Sequence, residues 1–125
     1  MIVDTSALIA ILRREPEATA FNKALLDAAP AKLSAGTLIE ARMLATRYGI
    51  SADLEDLLRD AGVVVVPVDA AQADAAAEGF RRFGKGRHAA ALNLGDLFAY
   101  ALAKVTGEPL LFKGGDFART DLVPA

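Results

Sequence analysis

Four short apolar segments constrain this 125-residue chain more than any other feature of its sequence. Each is too short for a typical helix, shows no alternation of polar and apolar residues, and is bounded by residues that favour turns or helix caps. Such runs are typical of strands that are covered on both faces of a sheet. The predicted strands are Met1–Asp4, Lys32–Ala35, Val63–Val66 and Pro109–Phe112.

Helical patterns fill the intervals between these strands. Leu54, Leu57, Leu58 and Ala61, for example, recur at the spacing of one buried helix face. The predicted helices are Thr5–Arg13, Pro16–Ala28, Thr37–Tyr48, Ala52–Asp60, Ala70–Phe83 and Leu94–Thr106. Because strands separated by helices favour right-handed crossovers, we predict an α/β fold of three layers with a short central parallel sheet. The sheet has four strands, or five if Leu122–Val123 forms a further one.

Length and composition exclude several classes of protein. A chain of this length favours one domain, predicted here over residues 1–125. Hydrophobic residues make up 54% of it, which excludes a disordered tail, and the longest strongly apolar run, Gly62–Val68, is too short to span a membrane. The opening MIVDTSAL lacks the pattern of a signal peptide, so we expect a soluble, cytoplasmic protein without membrane contacts. The absence of cysteine excludes disulfides, zinc–thiolate sites and thiol nucleophiles.

Four acidic residues are expected to meet at one edge of the predicted sheet. Asp4 ends the first strand, Glu40 lies one turn into the helix after the second, and Asp116 follows the fourth. Asp96 lies at the start of a helix that runs antiparallel to the strands, so it points to the same edge. Ligands of open α/β sheets collect at this edge, where the strands have their carboxyl ends.

Each acid also has a purely structural interpretation. Asp4 is a suitable helix N-cap, and Asp116 is typical of a turn. Thr37 and Glu40 have the spacing of a capping box, as do Asn93 and Asp96. Capping does not explain why the segments around the four acids contain no Lys or Arg apart from Lys113. Four carboxylates without cations would repel one another, and a divalent cation removes that cost. Oxygen ligands without His or Cys indicate Mg²⁺, with Mn²⁺ as a substitute, rather than zinc.

Long ordered motifs in this chain resemble those of the PIN-domain ribonucleases, specifically the VapC-type toxins of bacterial toxin–antitoxin systems. The resemblance spans nearly the whole chain. It rests on the opening IVDTSALIAILRREPEA, on LSAGTLIEA, and on the block RRFGKGRHAAALNLGDLFAYALAKVTGEPLLFKGGDFARTDL. It implies a PIN-like fold and metal-dependent endonucleolytic cleavage of RNA by a metal-activated water.

The resemblance assigns roles to the four acids. Asp4, Asp96 and Asp116 match the acids of the VDTSAL, N-x-G-D and G-x-D-F motifs and are expected to hold the metal, while Glu40 would orient the attacking water or help to hold a second ion. Many relatives have an acid or Asn where this chain has Gly115, which leaves one auxiliary ligand open. The residues expected to support the carboxylates are Thr5, Ser6, Asn93 and Asp121.

Phosphate contacts require cations, and several lie in or near the predicted loop Gly84–His88. The residues expected to contact RNA are Arg81, Arg82, Lys85, Arg87, His88, Lys113 and Arg119. The alternative for each is a solvated surface charge. The resemblance further implies a cognate antitoxin that blocks the acidic cleft and a homodimer of the toxin. Candidate surfaces for these partners are the apolar helices Thr5–Leu12 and Phe21–Ala28, although packing in the core explains both helices equally well.

Two competing functions remain open at this point. A receiver domain of a response regulator has a similar length and an acidic pocket, but it would need an acceptor Asp at the end of the middle strand, where this chain has VVVVPVD. The second competing function is that of a catalytically silent module that only binds RNA or a partner.

The net charge of −2 first argues against nucleic acid as a partner. Setting aside the four site acids, however, leaves 12 acidic residues against 14 basic ones.

Overall fold

A parallel sheet of four short strands forms the centre of the molecule. The computed structural model describes residues 1–28 and 30–125. Over these residues the strands are β1 (Ile2–Val3), β2 (Lys32–Ser34), β3 (Val64–Val66) and β4 (Leu110–Leu111), in the spatial order β3-β2-β1-β4. Ile2 is in register with Lys32 on one side and with Leu110 on the other. The predicted parallel sheet is therefore confirmed.

Helices connect the strands and cover both faces of the sheet. They are α1 (Thr5–Leu12), α2 (Ala18–Asp27), α3 (Ala35–Tyr48), α4 (Ser51–Asp60), α5 (Ala70–Phe83) and α6 (Leu94–Thr106). Because successive strand residues face opposite sides, Val3 and Leu111 pack in a core with α1 to α4, whereas Ile2 and Leu110 pack in a second core with α5 and α6. These two cores on either side of one sheet are the predicted three layers.

One detail of the predicted sheet was wrong, and of the two strand numbers left open the structure has four. The third strand was expected to be buried on both faces, but Val64 and Val65 are 46% and 43% exposed because β3 is an edge strand with a neighbour on one side only. The fifth strand near Leu122–Val123 is a single parallel bridge between Leu110 and Pro124. The chain there makes two backbone hydrogen bonds with Leu110, which are too few for a strand.

The apolar helices suggested as partner surfaces differ in exposure, because α2 buries only Leu25. Most of α1 is buried, including Thr5, Ala7, Leu8, Ile9 and Ala10, so this helix belongs mainly to the core. The exposed large apolar side chains lie mostly elsewhere, and α3 and α6 carry Ile39, Met43 and Leu94 at 63%, 65% and 72% exposure. No helix in the described part of the chain is long and apolar enough to cross a bilayer.

Candidate active site

Asp4 stands at the carboxyl end of β1 and uses its two carboxylate oxygens differently. Oδ2 accepts hydrogen bonds from the Ser6 backbone N–H at 2.9 Å and from the Ser6 hydroxyl at 2.6 Å, which caps α1. Oδ1 is buried and, within the described chain, accepts no hydrogen bond. The residue is only 4% exposed. Capping therefore explains one oxygen of Asp4 and leaves the other for a ligand.

Ser6 also ties Asp4 to the chain that leaves β4. Its hydroxyl oxygen accepts a hydrogen bond from the Lys113 backbone N–H at 2.9 Å while its proton goes to Asp4. Neighbouring Thr5 is buried and points its hydroxyl at the Thr37 carbonyl, 3.4 Å away at the start of α3. Both residues thus lie where they can fix the position of Asp4 relative to the next elements.

Asp96 occupies the first turn of α6 and forms a reciprocal capping box with Asn93. The Asp96 side chain accepts from the Asn93 backbone N–H at 2.9 Å through Oδ2, and the Asn93 side chain accepts from the Asp96 N–H at 3.1 Å. The structure therefore places Asn93 in direct contact with Asp96. Like Asp4, Asp96 uses one carboxylate oxygen to accept a hydrogen bond at the start of a helix, and this contact fixes the direction of its carboxylate.

Glu40 does not cap a helix. The cap of α3 is Ser34, whose hydroxyl accepts from the Gly36 N–H, and the helix begins two residues before the predicted start at Thr37. The capping-box interpretation of Thr37 and Glu40 is therefore wrong. The Glu40 carboxylate lies directly against Gly95 of α6, so closely that a Cβ at Gly95 would collide with it. α3 thus places Glu40 against Gly95, the residue before Asp96.

Asp116 lies in the exposed turn before a short 3-10 helix, Phe117–Arg119. It makes no side-chain cap to that helix among the described residues. Its charge is close enough to Asp96 to contribute to raising the pKa of the Asp96 carboxyl. Asp116 therefore stands beside the acidic site at its solvent side.

Three of the four predicted acids line a single cleft of about 400 Å³. Its walls come from the end of β1, from α1, from α3 and from the start of α6. The lining residues are Asp4, Thr5, Ser6, Ile9, Arg13, Glu15, Glu40, Leu44, Tyr48, Asp96 and Lys113. The sheet edge thus collects Asp4, Glu40 and Asp96 as expected, with Asp116 adjacent to Asp96.

Burial and mutual repulsion both act on the cleft acids. Burial raises the pKa of Asp4 to about 6, against the lowering effect of the Ser6 hydrogen bonds, and the charges of Asp96 and Glu40 add to the rise. Burial also raises the pKa of Asp96, and Asp116 and Glu40 add to it. These shifts mean that the carboxylates carry an electrostatic cost, which a bound cation would remove.

The donor set of the cleft fits a hard divalent cation. The buried, unpartnered Oδ1 of Asp4 needs a partner, and the nearby donors are carboxylate oxygens without thiol or imidazole. Within the described chain, no three carboxylate or histidine side chains are arranged to hold one ion together. Mg²⁺ usually keeps several water molecules and takes only one or two carboxylates, so this arrangement suits an ion that is partly hydrated.

The cleft contains one cation, Arg13, besides the Lys113 that the sequence places beside the acids. Arg13 lies on the face of α1 that carries Thr5 and Ile9, and Lys113 follows β4, so both reach the lining. Lys113 is engaged by Glu15 at 2.8 Å and by Glu17 at 3.0 Å, and these hydrogen bonds raise the pKa of its ammonium. Lys113 already stands beside Asp116 in the sequence, whereas nothing in the short segments around the four acids indicates that Arg13 reaches the cleft.

Most of the residues predicted to contact RNA lie outside the cleft lining, Lys113 being the exception. Arg81 pairs with Glu78, Arg82 with Asp121, and Arg119 donates to the Ala89 carbonyl at 3.2 Å. The remaining three lie in the turn after α5: Arg87 stacks on Phe80, His88 accepts from the Ala90 N–H, and Lys85 is exposed. This turn is held by backbone hydrogen bonds to Gly84 and Leu92.

Asp121 takes a different place from the one expected. Instead of supporting the cleft, its carboxylate accepts from the Tyr100 hydroxyl at 3.0 Å, from Lys104 at 2.9 Å and from Arg82 at 3.1 Å. Burial opposes ionisation of Asp121, but the hydrogen bonds from Lys104 and Tyr100 prevail and lower its pKa. Asp121 therefore fastens the C-terminal segment onto α5 and α6.

Sequence reasoning missed Tyr48 and Gly95 in this site. Tyr48 follows Glu40 and Leu44 at intervals of four, the spacing that places residues on one helix face, so the pattern was present once Glu40 was chosen. Gly95 had no comparable signal, because the need for a glycine arises only from the approach of α3 to α6.

The fold and the acidic cleft are those of a PIN-domain protein, and the PIN domain model matches residues 1–123. Curated relatives extend the likeness. The Ribonuclease VapC of Mycolicibacterium smegmatis is 49% identical over 125 residues, covering 98% of this chain and 97% of that protein. Ribonuclease VapC30 of Mycobacterium tuberculosis is 46% identical, with 98% and 95% covered. The chain therefore belongs to the VapC-type ribonucleases of the PIN-domain family.

Solved structures share the fold at low sequence identity. A toxin–antitoxin complex from Klebsiella pneumoniae contains a chain with a TM-score of 0.75 and 21% identity, covering 99% of this chain and 95% of that one. The Mycobacterium tuberculosis toxin VapC20, described as cleaving the sarcin–ricin loop, gives a TM-score of 0.74 with 21% identity, covering 99% of this chain and 97% of that one. A receiver domain, one of the competing interpretations of the sequence, is therefore wrong.

Proposed function

We propose that this chain is a divalent-metal-dependent endoribonuclease that acts as the toxin of a toxin–antitoxin pair and cuts RNA in the acidic cleft. The observation that carries the proposal is the meeting of Asp4, Glu40 and Asp96 from three separate elements, with a buried Asp4 oxygen that has no partner in the described chain. The membership of this chain in the VapC-type ribonucleases also supports RNA cleavage as its activity.

Asp4 and Asp96 are the residues proposed to hold Mg²⁺, with Mn²⁺ as a substitute and Asp116 as a further ligand beside Asp96. When bound, such a cation lowers the pKa of a coordinated water and neutralises charge on the phosphoryl oxygens. Ser6 and Asn93 contribute by holding one oxygen of each Asp, so that the carboxylates do not rotate away as RNA enters.

Glu40 is proposed to orient the attacking water. Its carboxylate lies against Gly95, one residue from Asp96, and nothing in the described chain uses it as a helix cap. A carboxylate at this position can accept a hydrogen bond from water and take its proton as the oxygen attacks phosphorus. The leaving 3′ oxygen of the ribose then takes up a proton from solvent at the open side of the cleft. An auxiliary role for Glu40 in holding a second ion fits the same position.

We further propose RNA and a cognate antitoxin as partners. The antitoxin is supported by the fold shared with a chain of a solved toxin–antitoxin complex. Because cellular RNA substrates lie in the cytoplasm, the cytoplasm is the proposed place of action. Lys113 is the one residue of the predicted RNA-contacting set that reaches the cleft, and the remaining basic residues are proposed to contact RNA farther out.

A homodimer is proposed through the apolar face of α3 and α6. This face is lined by Gly36, Ile39, Glu40, Met43, Leu94, Gly95 and Phe98, and it encloses a groove of about 330 Å³. Three of its side chains, Ile39, Met43 and Leu94, are more than half exposed, which is costly for a monomer. Because Glu40 and Gly95 also belong to the acidic site, a second copy here would border the cleft.

Incubation of the purified protein with unstructured RNA, with Mg²⁺ or with a chelator, tests the proposed activity. We expect cleavage only with the metal, and a loss of at least 100-fold in Asp4→Asn and in Asp96→Asn. Asp74→Asn is the matched control, because Asp74 is an exposed α5 residue outside the cleft lining. Equal cleavage by the parent and Asp4→Asn, or cleavage in chelator, would contradict the proposal.

A further inference from the structure

The cleft continues away from its acids between two matched helix faces. α1 contributes Thr5, Ile9 and Arg13, and α3 contributes Glu40, Leu44 and Tyr48, each set at intervals of four residues. Intervals of four place side chains on one face of a helix, one turn apart. Both faces therefore change in the same direction, from polar residues at the sheet edge through an aliphatic middle to Arg13 and Tyr48 at the outer rim.

Arg13 and Tyr48 form a stacked pair across this rim. The Arg13 guanidinium lies over the Tyr48 ring, 4.4 Å from its centroid. Arg13 is the C-cap of α1, and its backbone N–H donates to the Ile9 carbonyl at 2.9 Å, which fixes where the side chain starts. Tyr48 closes the last turn of α3 and remains 43% exposed. The pair is thus held by two helix ends and open to solvent.

Charge distinguishes Arg13 from the other cation of the cleft. Lys113 is paired with Glu15 and Glu17, whereas Arg13 has no carboxylate partner among the described residues. A polyanion that enters a cleft containing Asp4, Glu40 and Asp96 is repelled by them until a cation is bound. Arg13 is therefore the uncompensated positive charge in the cleft that can attract a phosphate.

From these observations we propose that Arg13 and Tyr48 form a binding subsite for one unpaired nucleotide of the RNA, next to the scissile phosphate. The guanidinium contacts the phosphate or stacks on the base, and the Tyr48 ring stacks on the base, over an apolar floor of Ile9 and Leu44. The span from Thr5 to Arg13 is about 12 Å along the helix axis, which places the subsite at a neighbouring nucleotide. This inference rests on the proposed ribonuclease function.

The subsite specifies a class of substrate. A cleft of about 400 Å³ has the size of a site for one small ligand, and stacking on an aromatic side chain requires a base that is not stacked in a helix. The preferred RNA therefore has an unpaired nucleotide beside the cut, as in a loop or a single strand, and a continuous duplex is disfavoured.

Binding of fluorescently labelled single-stranded RNA, measured by anisotropy in Mg²⁺ buffer, tests the subsite. Asp4→Asn serves as the non-cleaving background, and Tyr48→Ala, Tyr48→Phe, Arg13→Ala and Arg47→Ala are each added to it. Tyr48→Ala should weaken binding about 10- to 100-fold, and Tyr48→Phe should recover most of that loss because it restores the ring. Arg13→Ala should weaken binding and reduce the slope of log Kd against log salt by about 0.7. The same RNA annealed to its complement should bind less tightly.

Arg47→Ala is the matched control for charge. Arg47 is an exposed residue of the last turn of α3 and does not line the cleft. It should leave the affinity nearly unchanged. Thermal unfolding of each variant separates binding from a purely structural clamp between α1 and α3: a subsite requires the affinity to fall by more than any loss of stability can explain.

Three outcomes would overturn the subsite. In the first, the Arg13 and Tyr48 variants bind RNA as tightly as Asp4→Asn alone. In the second, Arg47→Ala weakens RNA binding as much as Arg13→Ala does. In the third, the Arg13 and Tyr48 variants weaken only the binding of a co-purified antitoxin, which would make the rim a protein-docking surface. Cleavage by the Asp4-containing protein is measured in parallel. If no RNA is cut but the rim variants still weaken binding, the proposed nuclease function fails while the subsite stands.

Discussion

At the scale of single residues, Asp4 and Asp96 combine an observed capping role with the proposed role as metal ligands in one side chain. Asp4 and Asp96 each use Oδ2 to bind a helix start. The sequence could only pose capping and catalysis as alternatives, since both favour an acid at the first turn of a helix. The structure shows that capping fixes the orientation of the carboxylate and leaves Oδ1 for another partner.

The raised pKa of Asp4 predicts a specific dependence of stability on pH without metal. Burial raises this pKa from 3.8 in the unfolded chain to about 6, so between these values the folded state holds a proton that the unfolded state has lost. The free energy of unfolding therefore falls as the pH rises through this interval, by about 3 kcal/mol in total. Urea unfolding in chelator at a series of pH values measures it.

Asp4→Asn provides the reference for that measurement, because an amide keeps an acceptor for Ser6 and does not titrate. As the pH rises from about 4 to about 6, the free energy of unfolding of the parent should decrease relative to that of Asp4→Asn. Asp74→Asn should show the same decrease as the parent. Curves for the parent and Asp4→Asn that remain parallel over this interval would refute the assignment.

At the scale of elements, the approach of α3 to α6 positions the proposed catalytic centre. Two glycines permit it: Gly36 of α3 lies against the Phe98 ring, and Gly95 of α6 lies against the Glu40 carboxylate. In either place a Cβ would collide with the facing side chain. The close contact explains how a residue one turn into α3 reaches the first turn of α6, which strand and helix order alone did not specify.

Gly95→Ala tests whether this contact matters for the reaction. Alanine favours the helix by about 1 kcal/mol relative to glycine, and the colliding atom belongs to the flexible end of Glu40, so the protein should stay folded. Glu40 would have to move, and we expect kcat for RNA cleavage to fall by about 10-fold or more. Single-turnover cleavage together with thermal unfolding measures both effects.

A double-variant cycle identifies the route of that effect. If Gly95→Ala acts by displacing Glu40, it should cost nothing further in a Glu40→Gln background. A full additional loss in that background would show that Gly95→Ala acts through another residue of α6, and unchanged cleavage by Gly95→Ala alone would remove the role given to the contact.

At the scale of the whole molecule, most of the correct predictions followed from the order of strands and helices along the chain. The four acids could be placed at one edge because the carboxyl ends of parallel strands share it. The exposure of β3 could not be predicted from the sequence, because an edge strand and a central strand made of valines have the same local pattern. The place of Arg13 in the cleft could not be predicted either, since it depends on how α1 packs against α3.

The proposed homodimer predicts a particular sensitivity to charge on its surface. Met43→Lys introduces a charge on the apolar face of α3 and α6, so light scattering should show the parent at twice the 13.1 kDa chain mass and this variant at the chain mass. Val105→Lys is the matched control, because Val105 is 45% exposed on α6 and lies outside that face. A monomeric parent, or dissociation by both variants, would contradict the dimer at this surface.

The proposed function depends on the binding of a divalent cation by the cleft carboxylates. Titration with Mn²⁺, followed by the electron paramagnetic resonance signal of the free ion, measures this binding directly in the parent, Asp4→Asn/Asp96→Asn and Asp74→Asn. We predict saturable binding by the parent and Asp74→Asn, with Mg²⁺ displacing Mn²⁺, and a loss of at least 10-fold in affinity in the double variant. Equal Mn²⁺ affinity of the parent and the double variant, or no saturable binding by the parent, would contradict the proposal.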